Sequence, residues 1–297
     1  MQKYGCIIEI RGVHVSIANV LLTSIIILNI LLGFVIVFLE RRSASSTWAW
    51  LMILAFIPIL GFILYVVLGQ NLRRRSIFRW DKQVHTFIRN KAAKQKRAIR
   101  DGDFSFLTPA ASQQHELVYM NLNNNQAIFT HDNSVDVFTD GHALFEQLLQ
   151  DIRQAKEHIH IQTYILRSDD LGNKLADLLV EKAREGVEVR LLYDANGSRR
   201  LARQYVAKLR NAGAETVSFF PIRFPYLTFH LNYRNHRKIT VIDGKIGYIG
   251  GFNIGDEYLG KDPKFGYWRD PHIRIRGTAV HNLQPRFLLD WNQAAKQ

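Results

Sequence analysis

NHRKITVIDGKIGYIGGFN, residues 235–253, is the stretch from which the fold can be read. Ile239–Ile242 and Ile246–Ile249 are two apolar runs with Asp243-Gly244 between them. An Asp-Gly step in that setting is the strongest short-range hairpin signal, because both central residues of a type I′ turn take positive φ. His236 and Lys238 precede the first run two residues apart, so on a strand their side chains share a face. After the second run, Gly250-Gly251 offers bare backbone to a ligand, and Asn253 adds a neutral amide donor. On this reading an imidazole, a cation, the Asp243 carboxylate and an amide gather at one end of a hairpin. That set suits a phosphate ester.

Taken singly, each residue has an ordinary explanation: a surface histidine, a solvated lysine, a turn aspartate, a capping asparagine. Taken together, the spacing is too particular for that. A phosphodiester under attack gains charge on its non-bridging oxygens, and fixed donors such as Lys238 and Asn253 stabilise it. A histidine can attack phosphorus itself, dividing one displacement into two through a covalent intermediate. Asp243 could hold and polarise an imidazole, as the carboxylate of a hydrolase triad does. Other chemistries fit poorly. The sequence has no Gly-x-x-x-x-Gly-Lys loop and no Gly-x-Gly-x-x-Gly turn. A lysine between would-be ligands argues against a metal at His236, and His158 with His160 lacks a second ligand pair nearby.

Upstream of the hairpin the pattern is that of an α/β domain starting near residue 110. Leu144, Phe145, Leu148, Leu149, Ile152 and Ala155 recur at helical spacing, and His158–Leu166 then alternates as a strand. A helix over Leu171–Leu179, stopped by Gly186, leads to a strand ending at Asp194. Strand, helix and strand in so short a span imply a right-handed crossover and a parallel pair. A helix from Arg199 to Ala212, a strand over Glu215–Phe220 and another over Asp270–Arg276 complete a helix-flanked mixed sheet. The aromatic-rich segment from Phe219 to Tyr233 reads as a loop roofing the site or dipping toward lipid.

Toward the N-terminus the composition changes. Ile17–Leu39 and Thr47–Leu68 are uncharged apolar runs, the second containing Pro58 and Gly61. Each exceeds the ~20 residues that cross a bilayer, and two buried core helices of that length are the weaker explanation. Residues 1–70 therefore read as a transmembrane hairpin with spans near 17–39 and 47–68. Residues 71–109 read as a basic juxtamembrane linker, and 110–297 as the catalytic part. The chain of 297 residues carries a net charge of +13. Arg73 to Arg100 holds eleven Lys or Arg against Asp81 alone. Beside two spans, such a block reads as a clamp on an anionic leaflet, not as a nucleic-acid site. The placement of Lys3, Arg11, Arg41, Arg42 and the later block leaves both termini on the cytoplasmic side. Cys6 is the only cysteine, which excludes an internal disulfide and a cysteine-based zinc site.

The motif His236-x-Lys238, Asp243, Gly250-Gly251-x-Asn253 resembles that of the phospholipase D superfamily. With IHIQTYIL at 159–166, LLYDANGS at 191–198, YWRDPHIRIRG at 267–277 and the two apolar runs, the chain is similar to bacterial cardiolipin synthases of that superfamily. The resemblance implies transfer of a phosphatidyl group between two phosphatidylglycerol molecules, giving cardiolipin and glycerol through a phosphatidyl-histidine. His236 would be the nucleophile or the acid, Lys238, Asn253 and Gly251 the phosphate binders, and Asp243 an orienting carboxylate. No metal or other cofactor is implied. The family carries two such motifs facing each other. Here only His272 and His281 follow Asn253, with Arg274 and Leu283, not lysine, two positions on. The chain accordingly reads as the N-terminal half of a synthase in a bacterial cell membrane. Its opposing histidine would come from a second half-domain or a homodimer. Two further readings are another phosphatidyltransferase or phosphodiesterase of the superfamily, and an inactive membrane-anchored lipid binder.

Overall fold

The computed structural model describes residues 7–10, 13–39, 44–65, 82–106, 108–221 and 234–295. They fall into two compact units, the elements up to Tyr65 and those from Lys82 onward. The aromatic segment, from residue 222 to Tyr233, lies outside the described residues.

In the first unit, β1 (Ile7–Ile10) pairs antiparallel with β2 (Val13–Ser16), and α1 (Ile17–Phe34) runs on as a π-helical turn through Leu39. Asn19–Phe38 has a mean hydropathy of 2.9 over its most apolar window. Among the described residues it is the one helix long and apolar enough to cross a membrane. The second apolar run is not the single span expected from its length. It is broken at Ile57 into α2 (Ala44–Phe56) and α3 (Pro58–Leu64), and its last residues lie outside those described. Pro58 is the cause, since it has no N–H for the carbonyl of Leu54 four residues back. The half-orphaned backbone is satisfied from the neighbouring helix. Asn29 of α1, 8% exposed, donates from Nδ2 to Pro58 O at 3.0 Å and to Leu54 O at 3.4 Å. Gly61 completes the bend, because a Cβ there would stand 2.6 Å from Ile53 O.

The second unit opens with α4 (Lys82–Arg100), α5 (Pro109–Gln113) and α6 (His115–Asn125). The stretch read as a linker thus holds a 19-residue helix. It is sutured to the chain ahead of the sheet, as the Gln95 amide donates to Phe129 O and accepts from Phe129 N–H, both at 2.8 Å.

The sheet follows as β3 (Ser134–Asp140), α7 (Gly141–Arg153), β4 (His158–Thr163), α8 (Asp170–Arg184), β5 (Glu188–Asp194), α9 (Arg203–Asn211), β6 (Glu215–Phe219), β7 (Ile239–Ile242), β8 (Ile246–Gly250), β9 (Arg269–Arg276) and α10 (Val280–Ala295). Spatial order is β3-β9-β8-β7-β4-β5-β6. β4 and β6 run parallel to β5, and the remaining pairings are antiparallel, so the sheet is mixed as the sequence predicts. Alternation along the strands divides the core in two. Ile159, Ile161, Val189 and Leu191 pack under α7, α8 and α9. Leu192, Phe219, Ile239 and Val241 pack under Phe287, Trp291 and Val280 of α10. The unit is an α/β/α sandwich.

Candidate active site

The Asp-Gly turn forms where it was read. Asp243 and Gly244 take φ of 51° and 63°, and Lys245 N–H donates to Ile242 O at 3.0 Å. The consequence for Asp243 differs from expectation. The four residues of β7 separate it from Lys238, five steps or roughly 16 Å at strand rise, so it stands at the opposite end of the hairpin. Its carboxylate is consumed locally. Oδ1 accepts from Glu157 and His158 N–H at 2.8 and 2.9 Å, and Oδ2 from Lys156 N–H at 2.9 Å. Burial works to raise its pKa, but the three donors outweigh that and hold the carboxyl below its ordinary value. Asp243 fastens the turn to the start of β4 and does not meet His236.

His236 and Lys238 do come together. Lys238, 5% exposed, places Nζ 3.0 Å from His236 Nδ1 and 3.3 Å from Nε2, and donates to His236 O at 2.9 Å. The imidazole is exposed, with the Tyr164 ring 4.5 Å away, and that same ring lies 5.5 Å under Lys238 Nζ. Burial depresses Lys238 to about 8 against the opposing field of Asp270. Burial first and the Lys238 charge second also lower His236, with Asp194 and Asp270 opposing. At neutral pH the pair is a neutral imidazole whose ring nitrogen accepts a hydrogen bond from an ammonium.

The glycines make room for side chains, not for a ligand. A Cβ on Gly251 would fall 1.9 Å from Asp270 Oδ1, and one on Gly250 would fall 2.5 Å from His272 Cγ. Gly251 N–H, expected at a phosphate, donates to Pro271 O at 2.9 Å. Asn253 is 4% exposed, and its amide ties loops together, accepting from Ile165 N–H at 3.0 Å and donating to Tyr258 OH at 2.8 Å. One amide hydrogen is left over.

Four residues of this neighbourhood escaped the sequence reading. Asp270, the second residue of β9, supplies the negative field over the pair. His272 pairs with Gly250 across the sheet, is 7% exposed and has no hydrogen-bond partner for Nδ1. Burial, with Lys238 second, takes it down to about 4, so it stays neutral. Asp194 accepts Asn235 N–H at 2.9 Å, setting the residue before His236. Tyr164 is held by Ser198, whose Oγ donates to its carbonyl at 3.2 Å, and by Gly197, where a Cβ would stand 2.2 Å from that oxygen. The signal lay in the segments LLYDANGS and YWRDPHIRIRG, whose polar residues follow or precede strands. A second layer supports the pair. Gln162 Nε2 donates to Asn235 Oδ1 and to Asp290 Oδ2, both at 2.8 Å, and Arg237 Nη1 reaches Asp290 Oδ2 at 3.2 Å. Among the described residues no group of three or more His, Cys, Asp or Glu is placed to hold a metal ion.

Residues 148–262 match the family described as "Cardiolipin synthase, PLD-like domain", and residues 27–70 match "Phospholipase_D-nuclease N-terminal". The chain is 53% identical to the major cardiolipin synthase ClsA of Bacillus subtilis over 94% of this chain and 58% of that one. It is 52% identical to a cardiolipin synthase of Oceanobacillus iheyensis over 95% and 58%, and 48% identical to one of Listeria innocua over 93% and 57%. The chain thus spans somewhat more than half the length of these relatives. With its motif, its mixed sheet and these relationships, it belongs to the cardiolipin synthase family of the phospholipase D superfamily.

Proposed function

We propose that this chain carries out the phosphatidyl-transfer half of cardiolipin synthesis, with His236 as nucleophile. The observation that carries the reading is the neutral imidazole of His236 within 3.0 Å of the Lys238 ammonium. The imidazole lone pair attacks the phosphorus of one phosphatidylglycerol, forming a P–N bond as the P–O bond to glycerol breaks. Lys238 meets the charge that develops on a non-bridging oxygen, and Asn253 can add its remaining amide hydrogen. The departing glycerol oxygen takes a proton from an acid. The hydroxyl of a second phosphatidylglycerol then attacks phosphorus, its proton passes to a base, and the P–N bond breaks to return His236.

One histidine cannot attack and protonate the leaving group in the same step, so the acid comes from a second histidine, in a further domain or a second copy. The second reading, a lipid-binding chain inactive by itself, rests on that requirement. The apolar helix α1, the broken α2–α3 segment and the basic block anchor the protein in a bacterial cell membrane, with the catalytic unit cytoplasmic.

Incubation with phosphatidylglycerol labelled on phosphorus tests this. The expected product is an acid-labile, base-stable adduct on His236, lost in His236→Ala. Adduct that forms slowly, with water protonating the glycerol, and yields no cardiolipin fits the missing second histidine, whereas abundant cardiolipin from the monomer sinks the requirement for it. Turnover that survives His236→Ala removes this residue from the mechanism.

A further inference from the structure

A cleft of about 910 Å³ opens in the second unit on the sheet face opposite Lys238, between α4, the segment after α6, the β7–β8 hairpin and α10. Its apolar lining includes Phe87, Ile88, Ile128, Ile239, Ile249 and Leu283. Lys91, Arg237 and Arg286 also line it, and no Asp or Glu does. Beneath the two arginines Asp290, wholly buried, pairs with both. Arg237, 42% exposed, and Lys91 give the cleft a cationic rim. Burial lowers the pKa of Arg237, with Asp290 opposing and Arg286 adding a smaller push in the same direction.

We propose that this cleft binds an anionic phospholipid, its phosphate at Arg237 and Lys91 and its acyl chain against the apolar lining, at a site separate from His236. Separation follows from their partners: Arg237 reaches Asp290 of α10, whereas Lys238 turns to His236 and the Tyr164 ring. The volume lies within the range of about 300–1,000 Å³ common for ligand pockets. An apolar trough with a cationic rim and no acid suits an amphiphile with one anionic head better than a peptide, which would leave backbone groups unpaired against the apolar lining. The choice of phosphatidylglycerol as headgroup rests on the function proposed above; the site itself does not.

The test is photolabelling of the full chain in lipid nanodiscs with phosphatidylglycerol carrying a diazirine on its acyl chain, mapped by mass spectrometry. Labels are expected on peptides containing Ile88, Ile128 and Leu283. Removing one charged contact should reduce them roughly tenfold, in Lys91→Gln on the exposed helix and in Arg237→Gln. Ala127→Trp, which narrows the cleft, should reduce them as well. His236→Asn should abolish the covalent phosphorus adduct and leave cleft labelling unchanged, so failure of the catalytic reading is distinguishable from failure of this one. Equal labelling by phosphatidylcholine, labels confined to residues 17–65, or loss of cleft labels in His236→Asn would each overturn the proposal. So would an unlabelled cleft, the outcome if a protein segment fills it.

Discussion

At the scale of single residues, the pair His236 and Lys238 exposes a conflict between stability and function. Lys238 is buried without a carboxylate in hydrogen-bond contact, and its pKa falls from 10.5 to about 8. Between those pH values the unfolded chain binds more protons than the folded one, so stability rises with pH through that window, and below it the buried charge is a cost. Lys238→Met is therefore expected to raise unfolding free energy at pH 7 by on the order of 1–3 kcal/mol while abolishing the adduct on His236. Thermal unfolding in detergent at two pH values checks the sign: the gain should shrink toward pH 10. A second expectation concerns phosphate binding, which should weaken as pH rises through about 8, where Lys238 loses its proton. Because Asp270 raises that pKa, Asp270→Asn should move the midpoint lower. A midpoint unmoved in a pH titration of lipid binding would remove Asp270 from the site's electrostatics.

At the scale of elements, the turn at Asp243 separates two roles that one aspartate could have played. Its carboxylate holds three backbone N–H groups at the start of β4, and these contacts keep it ionised below its ordinary 3.8. The stability it contributes is complete above that value and is lost as pH falls through the lower folded-state pKa. Asp243→Ala should cost about 2–4 kcal/mol, and Asp243→Asn less, since one carbonyl oxygen can still accept two of the donors and Asn tolerates positive φ. If Asp243 is only structural, the folded Asp243→Asn protein still forms the His236 adduct; an adduct lost at unchanged stability would restore a catalytic role. The broken helix makes a similar point. Asn29→Leu leaves the carbonyls of Leu54 and Pro58 without their donor and should weaken packing of α1 on α2 and α3 by roughly 1 kcal/mol, read as a lowered midpoint of unfolding in detergent. The hairpin, the parallel β4–β5 pair and the α/β/α layering were legible because period and turn chemistry are local. The fate of Asp243 was not, because backbone donors from a distant strand decide it. Nor was the break at Ile57, where length argued for one span and a single Pro overrode it. Asp270 and Tyr164 went unread because only pairing across the sheet, β9 with β8 and β4 with β7, brings them toward His236.

Across the whole molecule, the geometry of His236 depends on a carboxylate on the far side of the sheet. Asp290 of α10 is 0% exposed and joins Arg237, Arg286 and Gln162, while Gln162 also holds Asn235. The two neighbours of His236 in sequence are thereby tied to the helix of the opposite layer, and Asp194 fixes Asn235 from β5. The bottom layer of the sandwich is thus part of the site's scaffold and not only a cover for the core. Asp290→Asn removes the wholly buried charge that the partly exposed Arg237 and Arg286 share and should cost about 1–3 kcal/mol. Adding Arg286→Gln should recover part of that, a coupling of roughly 0.5–3 kcal/mol expected between groups in one network. Hydrogen exchange distinguishes a scaffold from a simple packing contact. If the network positions the nucleophile, amides of Asn235–Lys238 lose protection in Asp290→Asn under conditions where α8 and β5 remain protected. Exchange that quickens only in α10, with adduct formation on His236 undiminished, would show that the histidine is held by Asp194 and Tyr164 without help from the opposite layer.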